Sequence, residues 1–235
     1  MARLQDFPRP NVAVDLALLT VLPETLRAPS RLCVLMQDHP TSSNGIALPG
    51  RFLRDRQSVV GGMHDVLRTK VGVNVVPTRP LLLGVFDDPS RDPRAWTISL
   101  AHALALPADE LAGASGTFVP VGLDGRLVTR RRVLLDHAEM IRQAAQALRD
   151  RYERRPDPDG LVGEAYTLTD LRRGHEAVLG ESLRRDTFER RMKPHLEETG
   201  EQRSDGGRPA KLYRARLNSP LNEAEQRRLK LPRSD

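Results

Sequence analysis

The chain has one cysteine in 235 residues, Cys33. No disulfide can form within it, and the apolar run LCVLM around Cys33 reads as the setting of a buried structural thiol rather than a nucleophile. Long hydrophobic runs are lacking too. VAVDLALLTVL is broken by Asp15 and falls far short of the roughly 20 residues of a membrane span, and no charged-then-apolar leader precedes it. A soluble protein of a reducing, cytoplasmic compartment is expected. There is no large charge of either sign: 37 Lys and Arg stand against 31 Asp and Glu, a net of +6 in which arginine dominates. An anionic partner is therefore favoured only weakly. Aromatics are few, and Phe52, Phe86, Trp96 and Phe118 are each expected to pack in a core rather than to stack on a base or sugar. No histidine spacing suggests zinc.

What is present divides in two, and the length suffices for two domains with separate cores. VAVDLALLTVL and RLCVLM, separated by the turn cluster PETLRAPS, read as a strand pair. After the loop HPTSSNG and the Pro49-Gly50 turn, Ser58 can cap a helix with apolar Val59, Val60, Met63, Val66 and Leu67, ending near Gly72. RPLLLGVF and AWTISLAHALALP are strand-like, and His137 to Glu153 is amphipathic at helical period. RRPDPDG, residues 154–160, has the look of a linker, because its prolines and glycine stop a helix. Domains are expected at 1–154 and 158–217, with a tail at 218–235.

In the second part, Thr167 or Thr169 can cap a helix with Leu171, Ala177, Val178 and Leu179 inward, and a turn at Gly180 leads to a second helix from near Asp186. RRDTFERRMKPHLEE is read as helical. Two short helices joined by a tight glycine turn match helix-turn-helix geometry. Phe188 and Met192, four apart, would point inward, leaving Arg184, Arg185, Thr187, Arg190, Arg191 and Lys193 outward. ETGEQRSDGGRPAKLYRAR reads as a hairpin with Asp-Gly-Gly at its tip, forming a wing that carries Arg203, Arg208 and Lys211. These nine are the candidate DNA-binding residues. Residues 161–216 nevertheless carry 12 basic and 10 acidic side chains, a net of only +2.

The stretch PGRFLRDRQSVVGGMHDVLRTKVGV, residues 49–73, resembles the Nudix box. Counting back from Gly72-Val73, the conserved Arg falls on Asp65, the metal-binding glutamates on Val66, Thr69 and Lys70, an earlier glutamate on Gln57 and the first glycine on Arg51. Carboxylates at i, i+3 and i+4 would share a helix face and hold a divalent metal. Here that face is expected to show Val66, Thr69 and Lys70, so no catalytic and no metal residue is assigned. Arg51, Phe52, Arg54, Gln57, Arg68 and Lys70 are the candidate ligand-binding residues, the cations meeting a pyrophosphate directly.

With RDPR at 91–94, DHAE at 136–139 and the GGRPA wing tip, the chain resembles the Nudix-related transcriptional regulators of NAD metabolism, the NrtR family, over roughly residues 10–216. The resemblance implies an α+β protein: a Nudix-like α/β/α sandwich followed by a winged helix-turn-helix. It implies no cofactor, ADP-ribose or a related nucleotide as effector, a palindromic double-stranded DNA operator, a homodimer, and repression of NAD biosynthesis or salvage genes. A regulator of sugar catabolism sensing a pentose or its phosphate is the alternative of the same architecture. A weakly active hydrolase using Asp55, Asp65, Asp87 or Asp88 is another, although Asp87-Asp88 before Pro89 reads first as a turn. A third is a protein-binding adaptor.

Overall fold

The computed structural model describes residues 3, 6–23, 29–40, 42–77, 80–204 and 209–216. Strand β1 (Asn11–Pro23) is the centre of the first domain. It runs antiparallel to β2 (Ser30–Asp38), parallel to β6 (Thr97–Ala105) and antiparallel to the short β4 (Gly50–Phe52). The sheet continues in the order β5-β6-β1-β2-β3-β8, where β5 is Leu81–Phe86, β3 is Gly45–Ala47 and β8 is Arg132–Val133; β7 (Thr117–Pro120) pairs with β2.

Every position of β1 from 13 to 20 is buried, the mark of a strand covered on both faces. Alternation sorts its side chains. Val14, Leu16 and Leu18 pack with Met63, Val66 and Leu67 of helix α1 (Val59–Val66) and its extension, while Ala17 and Leu19 pack with Met140, Ile141 and Ala144 of α2 (His137–Tyr152). The sheet thus lies between two helices, as expected. Cys33 is buried in β2, also as expected.

Ser58 caps α1, its Oγ accepting from the Gly61 N–H at 3.1 Å. The helix then widens into a π turn over Leu67–Val71 and stops at Gly72 in the left-handed conformation, φ +84°, which glycine adopts without steric cost. Val60, expected on the apolar face, is instead 52% exposed.

The second domain has α3 (Leu168–Leu179), α4 (Arg185–Met192), a 3₁₀ turn at Lys193–His195, and a two-stranded wing of β9 (Leu196–Arg203) and β10 (Ala210–Ala215). Thr167 rather than Thr169 caps α3, in a reciprocal capping box with Asp170. Gly180 turns the chain toward α4 at φ +74°. Phe188 and Met192 are fully buried, as their spacing predicts. Leu196-Glu197-Glu198, read above as helix, begins β9: Pro194 lies in the 3₁₀ turn and lacks the N–H a continuing helix needs, and Leu196 pairs with Ala215.

Residues 154–160 are irregular, yet packed rather than extended as a linker. Pro156 and Asp157 are buried. Asp157, at φ +41°, accepts from Tyr152 Oη at 2.6 Å and from the Val162 N–H at 3.0 Å, and Arg151 grips Asp159. The core beneath the sheet continues from Ala145, Leu148 and Tyr152 of α2 into Leu171, Val178, Phe188 and Met192. One helix therefore serves both domains.

Candidate functional site

Two cavities meet beside the open end of the sheet. One, of about 360 Å³, is lined by Asp15, Gln37, Arg51, Phe52, Lys70 and His137 among others. The second, of about 720 Å³, is lined by Ser90, Arg132, Leu134 and Asp136. Arg91, Asp92 and Arg94 line both, so the two form one cleft with a charged waist.

The floor is made of buried polar groups. Asp15 on β1 accepts from Ser99 Oγ on β6 at 2.6 Å. Its side chain reaches the open end because β4 offers Gly50 as the paired residue; a Cβ there would lie 2.0 Å from Asp15 Oδ1. Burial alone would raise the Asp15 carboxyl, but His137, Ser99 and Arg91 outweigh it and hold the group below the usual carboxylate range. Arg91 makes a fork to Asp136, the residue preceding α2, at 2.8 and 2.6 Å, and lies 3.5 Å from Asp15. Its burial would favour losing the proton; Asp136, Asp15 and Asp92 more than offset this, so its pKa is raised. His137 accepts the Leu48 N–H on Nδ1 at 2.9 Å.

At the rim, Asp92 holds Arg94 through two side-chain bonds of 2.9 and 2.7 Å. The Arg94 hydrogen bonds lower the Asp92 carboxyl, and the arginine's guanidinium lies 5.7 Å from the centroid of the Phe52 ring. Phe52 is 42% and Trp96 43% exposed. Both were expected in a core; Phe52 instead ends β4 and lines the cleft, and Trp96 directly precedes β6.

Three of the six candidate ligand residues, Arg51, Phe52 and Lys70, line this cleft, and Arg54, Gln57 and Arg68 do not. Arg54 and Arg68 are exposed. Gln57 accepts from the Arg54 N–H and donates to Asp65 at 2.9 Å. Asp65 also receives Arg51 at 2.9 Å and faces Arg68 at 3.7 Å, and the Gln57 bond is foremost in lowering its pKa. The positions given to an arginine and a glutamate in the box pattern are here an aspartate and a glutamine that touch. The expected shared face of Val66, Thr69 and Lys70 does not form. Val66 is fully buried, while Thr69 and Lys70 are exposed, because the π turn rotates the residues after Val66 relative to those before it. Thr69 Oγ1 is bonded to the Asp65 carbonyl at 2.6 Å. A buried valine, a bonded hydroxyl and an ammonium do not fit a divalent metal, and no group of three His, Cys, Asp or Glu able to hold one occurs among the described residues. Asp88 accepts the Ser90 N–H and Oγ, the turn its place before Pro89 suggests.

Arg91, Asp92, Arg94, Asp15 and His137 line the cleft without having been candidates by residue type. The signal was available: RDPR and DHAE were the most specific segments of the resemblance, and Arg91 and Asp136, 45 positions apart, join them.

On the winged helix, the candidate DNA-binding residues fall into different states. Arg185 and Lys193 both pair with Glu189 of α4, at 2.8 and 3.2 Å. Arg203 is bonded to Asp170 of α3 at 2.6 Å, and Lys211 to Glu198 across the wing at 2.9 Å. Thr187 is half-buried; so is Arg191, contrary to its expected exposure, and its pKa is lowered by burial and by the charge of Arg190. Arg184 and Arg190 are exposed. The wing tip, with Arg208, and the segment 217–235 lie outside the described residues.

The two domains are joined at Arg149 of α2. Its buried guanidinium donates to the carbonyls of Val178 on α3 (3.1 Å), Leu123 (2.9 Å) and Gly122 (3.0 Å). Beside it His175 of α3 is wholly buried, its ring 5.0 Å from that of Tyr152 on α2 and 5.1 Å from that of Phe188 on α4. This histidine sits among charged residues in the sequence and shows no signal of such a place.

Residues 160–215 match the family described as the NrtR DNA-binding winged helix domain. The chain is 29% identical over 223 residues, covering 90% of itself and 84% of the relative, to the "ADPR responsive transcriptional repressor NtrR" of Acinetobacter baylyi. It superposes on the crystal structure of Shewanella oneidensis NrtR complexed with a 27mer DNA with TM-score 0.68 and 27% identity, covering 87% of this chain and 93% of that one. It also superposes on a MutT/nudix family protein from Enterococcus faecalis with TM-score 0.72 at 22% identity, over 92% and 90% of the two chains, a likeness of fold alone. The chain is a Nudix-like domain joined to an NrtR-type winged helix, the architecture of the Nudix-related NrtR regulators.

Proposed function

We infer that this protein is a cytoplasmic, DNA-binding transcriptional repressor of NAD biosynthesis or salvage genes, with ADP-ribose or a related nucleotide as its effector and a palindromic operator read by a two-fold dimer. The observation that carries the reading is the continuity of α2. Its first turn is tied to the cleft through Arg91–Asp136, and its last turns share a core with the helix-turn-helix. A nucleotide that binds the cleft differently in two arrangements of these elements would bias DNA affinity by that difference. In this reading the rim cations Arg51, Lys70 and Arg94 meet the pyrophosphate. Titration of labelled operator with and without ADP-ribose tests it; operator affinity indifferent to ADP-ribose would refute the sensor.

The box is degenerate in this reading, and the first domain is not a hydrolase. With magnesium present, ADP-ribose incubated with the protein is expected to yield ribose phosphate at background rate only. Steady release lost in Asp65→Asn would restore the enzyme reading.

Arg190 is the candidate base reader, since it is exposed and forms no ion pair among the described residues. Arg190→Ala is expected to weaken operator binding by about 1–3 kcal/mol, with a smaller loss on random duplex, and Arg191→Ala by less than Arg190→Ala. Arg208→Ala should weaken both duplexes and reduce the salt slope by about one charge. Fluorescence anisotropy at several salt concentrations measures both effects.

A further inference from the structure

Helix α2 begins with a capping sequence that the fold does not use. DHAE, residues 136–139, places an aspartate at the N-cap and a glutamate three residues later, the spacing of a reciprocal capping box. The same chain closes such a box on α3 with Thr167 and Asp170. On α2 Asp136 makes no side-chain cap hydrogen bond. Its two carboxylate oxygens accept from Arg91 instead, and Glu139 is bonded along the helix to Arg142 and Gln143. The backbone makes the same choice. Ser58 and Thr167, which do cap their helices, are extended at ψ 155° and 160°, whereas Asp136 lies at φ −93° and ψ 14°. Just before it Leu135 is left-handed, φ +54°, a conformation in which its Cβ crowds the backbone. Turning Asp136 to the extended conformation of a cap would swing the chain before it, and with it Leu134 and Leu135, which line the cleft. The fork to Arg91 and the cap on α2 therefore exclude each other. Breaking the fork would not strand Arg91, because Asp15 lies 3.5 Å away. Local preference and tertiary contact thus compete for one carboxylate beside a strained residue, the setting in which a protein keeps two arrangements close in energy.

We propose that Asp136 is a two-position switch, held by Arg91 in one arrangement and capping α2 in the other, and that an anion forked by Arg91 drives it from the first to the second. A phosphate offers a guanidinium the same paired oxygens as a carboxylate, and Arg91 lines both cavities, so a phosphate in the cleft competes with Asp136 directly. The displaced carboxylate takes the first amides of α2, and the wall of the cleft at Leu134 and Leu135 moves with it. Helix α2 runs unbroken from His137 to Tyr152, where it shares the core of the helix-turn-helix and where Arg149 holds the end of α3. A change at its first turn therefore reaches the DNA-binding domain. This rests on the nucleotide reading above and adds to it the step by which the cleft acts on α2.

The test is hydrogen exchange of the full chain at the first-turn amides of Ala138 and Glu139, alone and with saturating ADP-ribose or inorganic pyrophosphate, alongside titration of labelled operator. In the wild-type protein both anions are expected to slow this exchange severalfold. Asp136→Asn, neutral toward Arg91 but still able to cap, is expected to show slowed exchange with no anion present, and Asp136→Ala no slowing under any condition. Leu135→Gly relieves the left-handed residue only in the arrangement that holds the fork, so it should need about fivefold more ADP-ribose for half of the operator response. The wild-type exchange and Leu135→Gly decide even if an Asp136 variant fails to fold. Exchange unchanged by either anion, or slowed equally in Asp136→Ala, would overturn the switch and leave the nucleotide sensor standing. Operator affinity indifferent to ADP-ribose, with exchange slowed by pyrophosphate only where Asp136 is present, would overturn the nucleotide reading and keep the switch.

Discussion

Replacing Arg149 by alanine is expected to destabilise the protein by about 3–5 kcal/mol, the range for removing one partner from a buried charged hydrogen-bond network. Three carbonyls lose their donor at once, those of Val178, Leu123 and Gly122. Water can replace part of what is lost at Leu123, which is 67% exposed, but not at Val178, which is fully buried. Val178 O also lies at the C-terminal end of α3, where a cation is favoured by the helix dipole. Burial lowers the pKa of this arginine, so a good part of the measured loss will be the cost of orphaned carbonyls rather than a net gain from the charge. Arg149→Met, which keeps much of the stem volume, should recover part of the packing and little of the hydrogen bonding. Chemical denaturation monitored at the single tryptophan, Trp96, gives the stability. If α2 transmits the effector signal, the Met variant should also bind operator with a reduced response to ADP-ribose. A change below about 1 kcal/mol in both variants would show that the contact does not join the domains.

The second large effect is acid sensitivity set by His175. Burial drops its pKa from 6.5 to about 3. A depressed pKa means that the folded state binds the proton less readily than the unfolded state. The stability it contributes is fully present above pH 6.5 and is lost as pH falls toward 3, at about 1.4 kcal/mol per pH unit in the middle of that window. Near pH 4.5 the loss is on the order of 2–3 kcal/mol. Depressed carboxylates such as Asp15, Asp92 and Asp170 add to acid sensitivity at lower pH, so the histidine is isolated by substitution. His175→Phe keeps an aromatic ring between Tyr152 and Phe188 and gives up a long, 3.4 Å contact from the Asp157 N–H. Urea midpoints between pH 7.5 and 4.5 should fall clearly less in this variant than in the wild-type protein. Parallel pH profiles would place the acid sensitivity elsewhere.

The elements themselves were largely legible in the chain. Local signals set them: the Val/Leu-rich runs of β1 and β2, Ser58 and Thr167 as caps, Gly72 and Gly180 as left-handed stops, and the i, i+4 pair Phe188 and Met192. The short strands β3, β4, β7 and β8 were not read, being too few residues each to show a pattern, and Leu196–Glu198 was misread because its apolar and acidic residues suit a helix end as well as a strand; pairing with β10, a long-range contact, decides between them. The family resemblance was likewise a property of the sequence, since it rests on the order and spacing of short segments.

The site was legible only in part. A sequence shows which residues carry charge, not which charges are already used, and several of the candidate cations are held by carboxylates. Arg51 meets Asp65, Arg203 meets Asp170, Lys211 meets Glu198, and Arg185 and Lys193 share Glu189. The floor of the cleft draws Asp15 from β1, Ser99 from β6, Arg91 from a loop and His137 from the start of α2, residues up to 122 positions apart. Their proximity follows from the parallel pairing of β1 with β6 and the docking of α2, which no local spacing encodes. The sequence by itself determined the two domain types and the helix-turn-helix. The tertiary structure alone decided which charges are paired among the described residues, that Asp15 and His137 come together, and that α2 belongs to both cores, because each depends on desolvation and long-range packing rather than on neighbours along the chain.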